Sequence, residues 1–277
     1  MLNIIKYIFL GIVQGITEPI PVSSSGHLLI IKTILEKVSV NFNVDFETFA
    51  TMTNFGSLLA IVIIFWKDIV SLVKAFFTYL FNKDRSKENF INFRYCWLIV
   101  IATIPAGIAG IIVTKLGLLD KLEENVKFIG LMLCVTALFL YLIKDFKGTK
   151  NAKKMSFKSA LVIGLYQMVA LIPGISRSGS TIVGSMFQGL RREDAFNFSF
   201  ILYIPISIAT SILGVKDLLE LSISSMEWVY YLLATLMAFI FTYIFTKIFR
   251  NLVKNGKLMY FSVYCLIVGL LVIILFK

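Results

Sequence analysis

Acidic side chains are scarce in this sequence, charge of either sign is thinly spread, and cysteine is nearly absent. Asp and Glu total 16 against 27 Lys and Arg, charged residues make up 16% of the 277, and the mean hydropathy is +0.87. A soluble domain needs more polar surface than this, so lipid must replace water over much of the exterior. The three cysteines, Cys96, Cys134 and Cys265, lie in apolar stretches without paired spacing, which argues against a disulfide framework and against a zinc site. Also missing are the Gly-x-x-x-x-Gly-Lys-[Ser/Thr] phosphate loop and the Gly-x-Gly-x-x-Gly dinucleotide fingerprint. The formal charge of +11 does not point to nucleic acid, because the basic residues sit in short connections between apolar runs rather than along one amphipathic face.

What is abundant is apolar sequence, 58% of the chain. Six runs are predicted to span a bilayer: about Phe49 to Trp66, Tyr95 to Val113, Phe128 to Ile143, Phe198 to Leu213, Trp228 to Phe245 and Met259 to Phe276. Two further apolar regions, Leu2 to Leu35 and Phe157 to Leu190, are interrupted by Pro, Gly and Ser, which predicts pairs of half-helices too short to cross alone. Irregular backbone at membrane depth survives only where protein or a wet cavity supplies hydrogen bonds, so these are read as re-entrant hairpins facing a polar interior. Two ordinary spanning helices are the alternative. The N-terminal run Ile4 to Ile16 lacks a basic start beyond Lys6 and a cleavage site, so it is expected to stay in the mature protein.

Lys and Arg concentrate in alternate connections: Lys67, Lys74, Lys83, Arg85 and Lys87 after the first span, Lys144, Lys147, Lys150, Lys153, Lys154 and Lys158 after the third, and Lys247, Arg250, Lys254 and Lys257 after the fifth. The intervening loops balance Lys115 and Lys121 with Asp120, Glu123 and Glu124, and Lys216 with Asp217, Glu220 and Glu227. By the positive-inside bias both termini are expected outside, with the site opening outward.

The two interrupted regions resemble each other. Gly11-Ile-Val-Gln14 precedes Pro21-Val-Ser-Ser-Ser-Gly26, and Gly164-Leu-Tyr-Gln167 precedes Pro173-Gly-Ile-Ser-Arg-Ser-Gly179, one residue longer. Each is followed by three spans, and an odd number turns the second copy upside down. The expected fold is therefore an all-α polytopic membrane protein, a single domain of residues 1–277 in two inverted-topology repeats, 1–145 and 146–277. Each repeat is a re-entrant helical hairpin plus three transmembrane helices, and the site lies where the hairpins meet.

Glu18, His27 and Arg177 stand inside the apolar regions, where a charged residue costs roughly 2.5 to 3.5 kcal/mol on insertion scales. A buried Glu18–Arg177 tie would explain two of them, but not the ring of Ser23, Ser24, Ser25, Ser176, Ser178, Ser180 and Thr181 around two breaks. Free backbone N–H groups at a half-helix start, hydroxyls and a guanidinium make a cradle for phosphate. The serines would equally serve as caps and packing residues. Gln14 and Glu18, four apart on a helix, could present oxygens to a Mg²⁺ or Ca²⁺ whose shell is completed by phosphate and water, or Gln14 could bond between helices. His27 would suit a general acid or base.

These motifs resemble the undecaprenyl-diphosphatase family of bacterial membrane enzymes, associated with bacitracin resistance. The resemblance rests on Gln14-Gly-Ile-Thr-Glu18-Pro-Ile-Pro-Val-Ser-Ser-Ser-Gly-His27 and Pro173-Gly-Ile-Ser-Arg-Ser-Gly-Ser-Thr181. It continues through Phe55-Gly-Ser-Leu-Leu-Ala60, Thr103-Ile-Pro-Ala106 and Arg192-Glu-Asp-Ala-Phe-Asn-Phe-Ser-Phe200. It implies hydrolysis of a C55 polyprenyl diphosphate to the monophosphate in the cell membrane, recycling the lipid carrier for cell-wall glycans with a divalent cation. It further implies catalytic roles for Glu18, Ser24, His27 and Arg177, and phosphate contacts from Ser23, Ser25, Ser176, Ser178 and Thr181. On this view Ser24, or else water, is the nucleophile and His27 activates it. Gln14 fills a place that is Glu in many relatives, removing a charge from the expected metal shell. Ala50 and Asn54 depart from the acidic and Gln types of that helix. A transporter or flippase of a phosphorylated lipid is the rival reading, and the oligomeric state is left open, homodimer included.

Overall fold

The structure, a computed structural model, describes residues 2–37, 45–81, 85–118, 120–220 and 224–276. Lys83 of the first basic connection lies outside the described residues, as do the side chains of Asp120, Lys121, Lys216, Asp217 and Glu220. Among the described residues the chain is helical, with an isolated bridge between Lys150 and Leu190 and no longer strand. The first interrupted region forms α1 (Leu2–Thr17) and α2 (Ser24–Lys37). After it come α3 (Phe46–Ile64), α4 (Trp66–Phe81), α5 (Lys87–Lys115), the single turn α6 (Asp120–Glu123) and α7 (Val126–Leu142). A short 3-10 turn, Ala152–Lys154, leads into the second interrupted region, α8 (Phe157–Val169) and α9 (Arg177–Phe187). The chain ends with α10 (Arg192–Glu220), α11 (Ser225–Lys254) and α12 (Met259–Leu275).

All six expected spans are helical. α3, α5, α10 as far as Gly214, and α11 are each long and apolar enough to cross a membrane. α7 and α12 have 17 residues each, about 25 Å at 1.5 Å per residue, the short end of what spans a hydrocarbon core. Large apolar side chains face outward along these helices, Ile212, Leu236, Leu270 and Ile274 among them. The protein is a multi-span membrane protein.

One connection differs from expectation. The stretch after the first span is the helix α4, because its apolar residues recur at helical spacing: Leu72 and Ala75 are buried, and Phe76 and Tyr79 stack on Phe93 of α5 at 5.3 and 4.4 Å between centroids. The basic connections gather at one end of the bundle. Arg94 donates to the carbonyls of Lys153 and Met155, Lys153 Nζ to Asn92 Oδ1 at 2.8 Å, and Arg192 to the Lys144 carbonyl at 2.9 Å, while Arg250 lies 3.7 Å from Glu193.

The two interrupted regions break for local reasons. Pro19 disfavours helical geometry at Glu18, and neither Pro19 nor Pro21 can donate a backbone hydrogen bond, so α1 stops at Thr17, whose hydroxyl turns back to the Val13 carbonyl at 2.7 Å. α2 restarts from Ser23, whose Oγ accepts from Gly26 N–H at 3.3 Å although its backbone is left-handed, φ 66°. In the second region Gly174 turns the chain at φ 92°, and Ser176 caps α9 by accepting from Gly179 N–H at 3.1 Å.

The hairpins pack crosswise. α1 runs along α11 and α8 along α5. Contact is so close that a Cβ on Gly11 would come within 2.4 Å of the Ala234 carbonyl oxygen, and one on Gly164 within 2.5 Å of that of Ala102. α7 and α12 meet at a small-residue seam where Gly130 and Gly269 face each other's carbonyls, a Cβ falling at 2.9 and 2.6 Å.

Candidate active site

The two breaks meet. Ser178 Oγ donates to the Ile20 carbonyl at 3.3 Å, joining the start of α9 to the turn before α2, and Arg177 Nη2 lies 2.8 Å from Glu18 Oε1. Both charged groups are mostly buried, their side chains 17% and 11% exposed. Glu18 is the hub. Its other oxygen accepts from Ser24 Oγ at 2.6 Å and from Gln14 Nε2 at 2.9 Å, so helical spacing sets Gln14 under Glu18 as expected.

Arg177 is aimed from behind. Its guanidinium lies over the ring of Tyr203, 4.1 Å from the centroid, and the Tyr203 hydroxyl donates to Asn54 Oδ1 at 2.7 Å. Asn54 in turn is 3.4 Å from Thr210 Oγ1. With Nη2 on Glu18, Nη1 is buried and has no partner among the described residues. A buried guanidinium nitrogen left unsatisfied is a donor that a bound anion or a water can use.

A small cavity of about 60 Å³ is lined by Thr17, Glu18, Ser23, Ser24, Ser25, Ala170, Ile175, Ser176, Arg177 and Ser178. Glu18, Ser24 and Ser25 also line an adjoining, more apolar hollow of about 280 Å³ that reaches Leu28, Ala50, Asn54 and Thr210. A polar head and an apolar continuation meet there.

Of the residues singled out in the sequence, the structure brings Gln14, Glu18, Ser24 and Arg177 into direct contact, and places Ser23, Ser25, Ser176 and Ser178 on the wall. Ser23 and Ser176 also act as helix caps. Thr181 is turned away, its hydroxyl engaged by the Arg177 carbonyl at 3.0 Å and Ser199 Oγ at 2.5 Å. His27 does not reach Ser24: Nδ1 meets the Ser23 carbonyl at 2.9 Å and Nε2 meets Tyr264 OH at 2.8 Å. Tyr203 and Tyr264 went unnoticed in the sequence, each resembling ordinary apolar filling. Asn54, noted there as a departure, proves to be the anchor of Tyr203.

Among the described residues no group of three or more His, Cys, Asp or Glu could hold a metal. Glu18 and Gln14 together offer one carboxylate and one amide, and the carboxylate already accepts from three donors. That set fits a cation only if phosphate and water supply most of the shell.

Fold and site define a class: multi-span membrane proteins holding a carboxylate, a serine hydroxyl and a guanidinium around an anion-sized cavity. The chain belongs to the BacA family, bacitracin resistance protein BacA, whose model matches residues 7–271. It is 41% identical over 271 residues to undecaprenyl-diphosphatase 2 of Bacillus thuringiensis strain Al Hakam, covering 98% of this chain and 97% of the relative. It is 40% identical over 275 residues to undecaprenyl-diphosphatase of Oceanobacillus iheyensis, covering 98% and 96%. It is 38% identical over 273 residues to undecaprenyl-diphosphatase 1 of Bacillus licheniformis, covering 99% and 98%.

Proposed function

We propose that this protein hydrolyses undecaprenyl diphosphate to undecaprenyl phosphate and inorganic phosphate, returning the lipid carrier to cell-wall synthesis. The carrying observation is Glu18, one oxygen on the hydroxyl of Ser24 and the other on Arg177. In this reading Arg177, the wall hydroxyls and the half-helix start of α9 hold the terminal phosphate. Glu18 takes the Ser24 proton, Ser24 Oγ attacks the terminal phosphorus, and the P–O bond to the lipid monophosphate breaks. Water then cleaves the phosphoserine, releasing phosphate and restoring the hydroxyl. The base is thus Glu18, which touches Ser24, rather than His27, which does not. Glu18 and the Gln14 amide oxygen would hold a divalent cation brought in with the diphosphate, whose contribution is to neutralise developing charge.

We also read the architecture as an inverted repeat with two re-entrant hairpins. What supports this is the crosswise packing, each hairpin's glycine seated on a span of the other half, Gly11 on Ala234 and Gly164 on Ala102, and the reciprocal Gly130–Gly269 seam. With the basic ends inside, both termini and the site face outward.

The test is phosphate release from a C55 diphosphate by protein purified in detergent, with and without a chelator, for wild type and Glu18→Gln. Hydrolysis by the wild type, reduced by chelator and about 10²-fold or more lower in Glu18→Gln, is expected. A carrier that only binds or moves the lipid would release none.

A further inference from the structure

His27 stands at the start of α2, three residues beyond Ser24, with 9% of its surface exposed. Its two ring nitrogens are both engaged, by partners that differ in what they can offer. The Ser23 carbonyl at Nδ1, 2.9 Å away, can only accept, which assigns a proton to Nδ1. The Tyr264 hydroxyl at Nε2, 2.8 Å away, can donate, and a neutral imidazole with Nδ1 protonated needs a donor there. The ring planes are within 9° of parallel, with centroids 5.6 Å apart. The carbonyl so clamped belongs to Ser23, whose left-handed backbone, φ 66°, is a conformation that a side chain other than glycine adopts only under restraint. That turn aims the next residue, Ser24, at Glu18.

We infer that Tyr264 is a positioning residue: by donating to Nε2 it fixes His27 in the Nδ1–H form, and His27 then holds the Ser23 carbonyl so that Ser24 Oγ sits on Glu18. His27 serves the reaction through geometry and carries no proton to or from the substrate. The inference rests on the phosphatase reading above, with Ser24 as nucleophile and Glu18 as its base.

Because His27 is the only histidine, nitrogen-15 NMR of tag-free protein in detergent reads its tautomer directly. A neutral ring protonated at Nδ1 is expected in the wild type, with the Nε2–H form gaining in Tyr264→Phe. A wild-type ring protonated at Nε2, or at both nitrogens near neutral pH, overturns the assignment. In phosphate release from a C55 diphosphate, Tyr264→Phe is expected to lower kcat roughly 5- to 10-fold, the loss of one hydrogen bond, with KM and the pH profile unchanged. His27→Asn, whose amide nitrogen can stand where Nδ1 stands, is expected to keep kcat within about 10-fold of wild type with the same pH limbs. His27→Gln, whose nitrogen instead reaches the Nε2 position, should fall on the order of 100-fold. Equal losses in the two variants with disappearance of a pH limb, or an unchanged kcat in Tyr264→Phe, would overturn the positioning role. Glu18→Gln run in parallel separates the two levels: full activity there removes the phosphatase mechanism itself, whereas an inactive Glu18→Gln beside an unaffected Tyr264→Phe removes only the role of Tyr264.

Discussion

Glu18 divides two oxygens among three donors, and each donor has a different task. In the proposed reaction Arg177 supplies charge, Ser24 supplies the reacting hydroxyl and Gln14 fixes the carboxylate's rotation. Arg177→Lys keeps the charge but loses the planar fork and the stacking on Tyr203, so phosphate release should fall by about 10² or more while the protein still inserts. Tyr203 separates ring from hydroxyl. Tyr203→Phe, which forgoes the 2.7 Å bond to Asn54, should lower kcat/KM by roughly 5- to 10-fold, and Tyr203→Leu, which removes the shelf as well, by distinctly more; steady-state phosphate release measures both. The Ser-Arg-Ser run and the Gln14–Glu18 pair were legible in the sequence because their chemistry is local, four residues or fewer apart. Tyr203 and Tyr264 were not, since their partners lie 149 and 237 positions away, and nothing in an apolar helix marks which tyrosine will meet a polar group. The contact expected between His27 and Ser24 was misplaced for the same reason, the ring meeting the Ser23 carbonyl and Tyr264 instead. Proximity to Ser24 along the chain is not proximity of the ring to its hydroxyl.

At the scale of helices, the spans were legible from unbroken apolar length, and the hairpin breaks from proline and serine. α4 was not, because its lysines were read as loop charge, whereas Lys67 and Lys74 lie along a helix whose other side packs on α5. Helix contact also sorts the glycines. Gly11→Val and Gly164→Val each push a Cβ into a neighbouring backbone carbonyl, and should destabilise the protein by about 1 to 3 kcal/mol, read as a lower Tm in detergent with loss of activity. Gly107→Ala in α5 meets nothing within 4 Å and should be neutral or slightly stabilising in the same assay.

For the whole molecule, the alternation of basic and balanced connections led to a topology, and the structure gathers the basic ones at one end through Arg94, Arg192 and Lys153. On the proposed orientation, with both termini outside, a single cysteine placed near residue 276 in a cysteine-free background should react with a membrane-impermeant maleimide on intact cells, and one placed at Lys150 only after permeabilisation; the reverse pattern would invert the protein. The order of the spans was legible because hydropathy and charge are written along the chain. The crosswise seating of each hairpin on the other half was not, because it depends on which small residues face each other in space.

Glu18 and Arg177 are 159 positions apart. A ribosome therefore releases the acid long before it has made its guanidinium partner, and the nascent first half reaches the bilayer with Glu18 lacking that counter-charge. On the proposed mechanism, activity can begin only when translation has delivered the second break, so a chain truncated midway should be chemically silent.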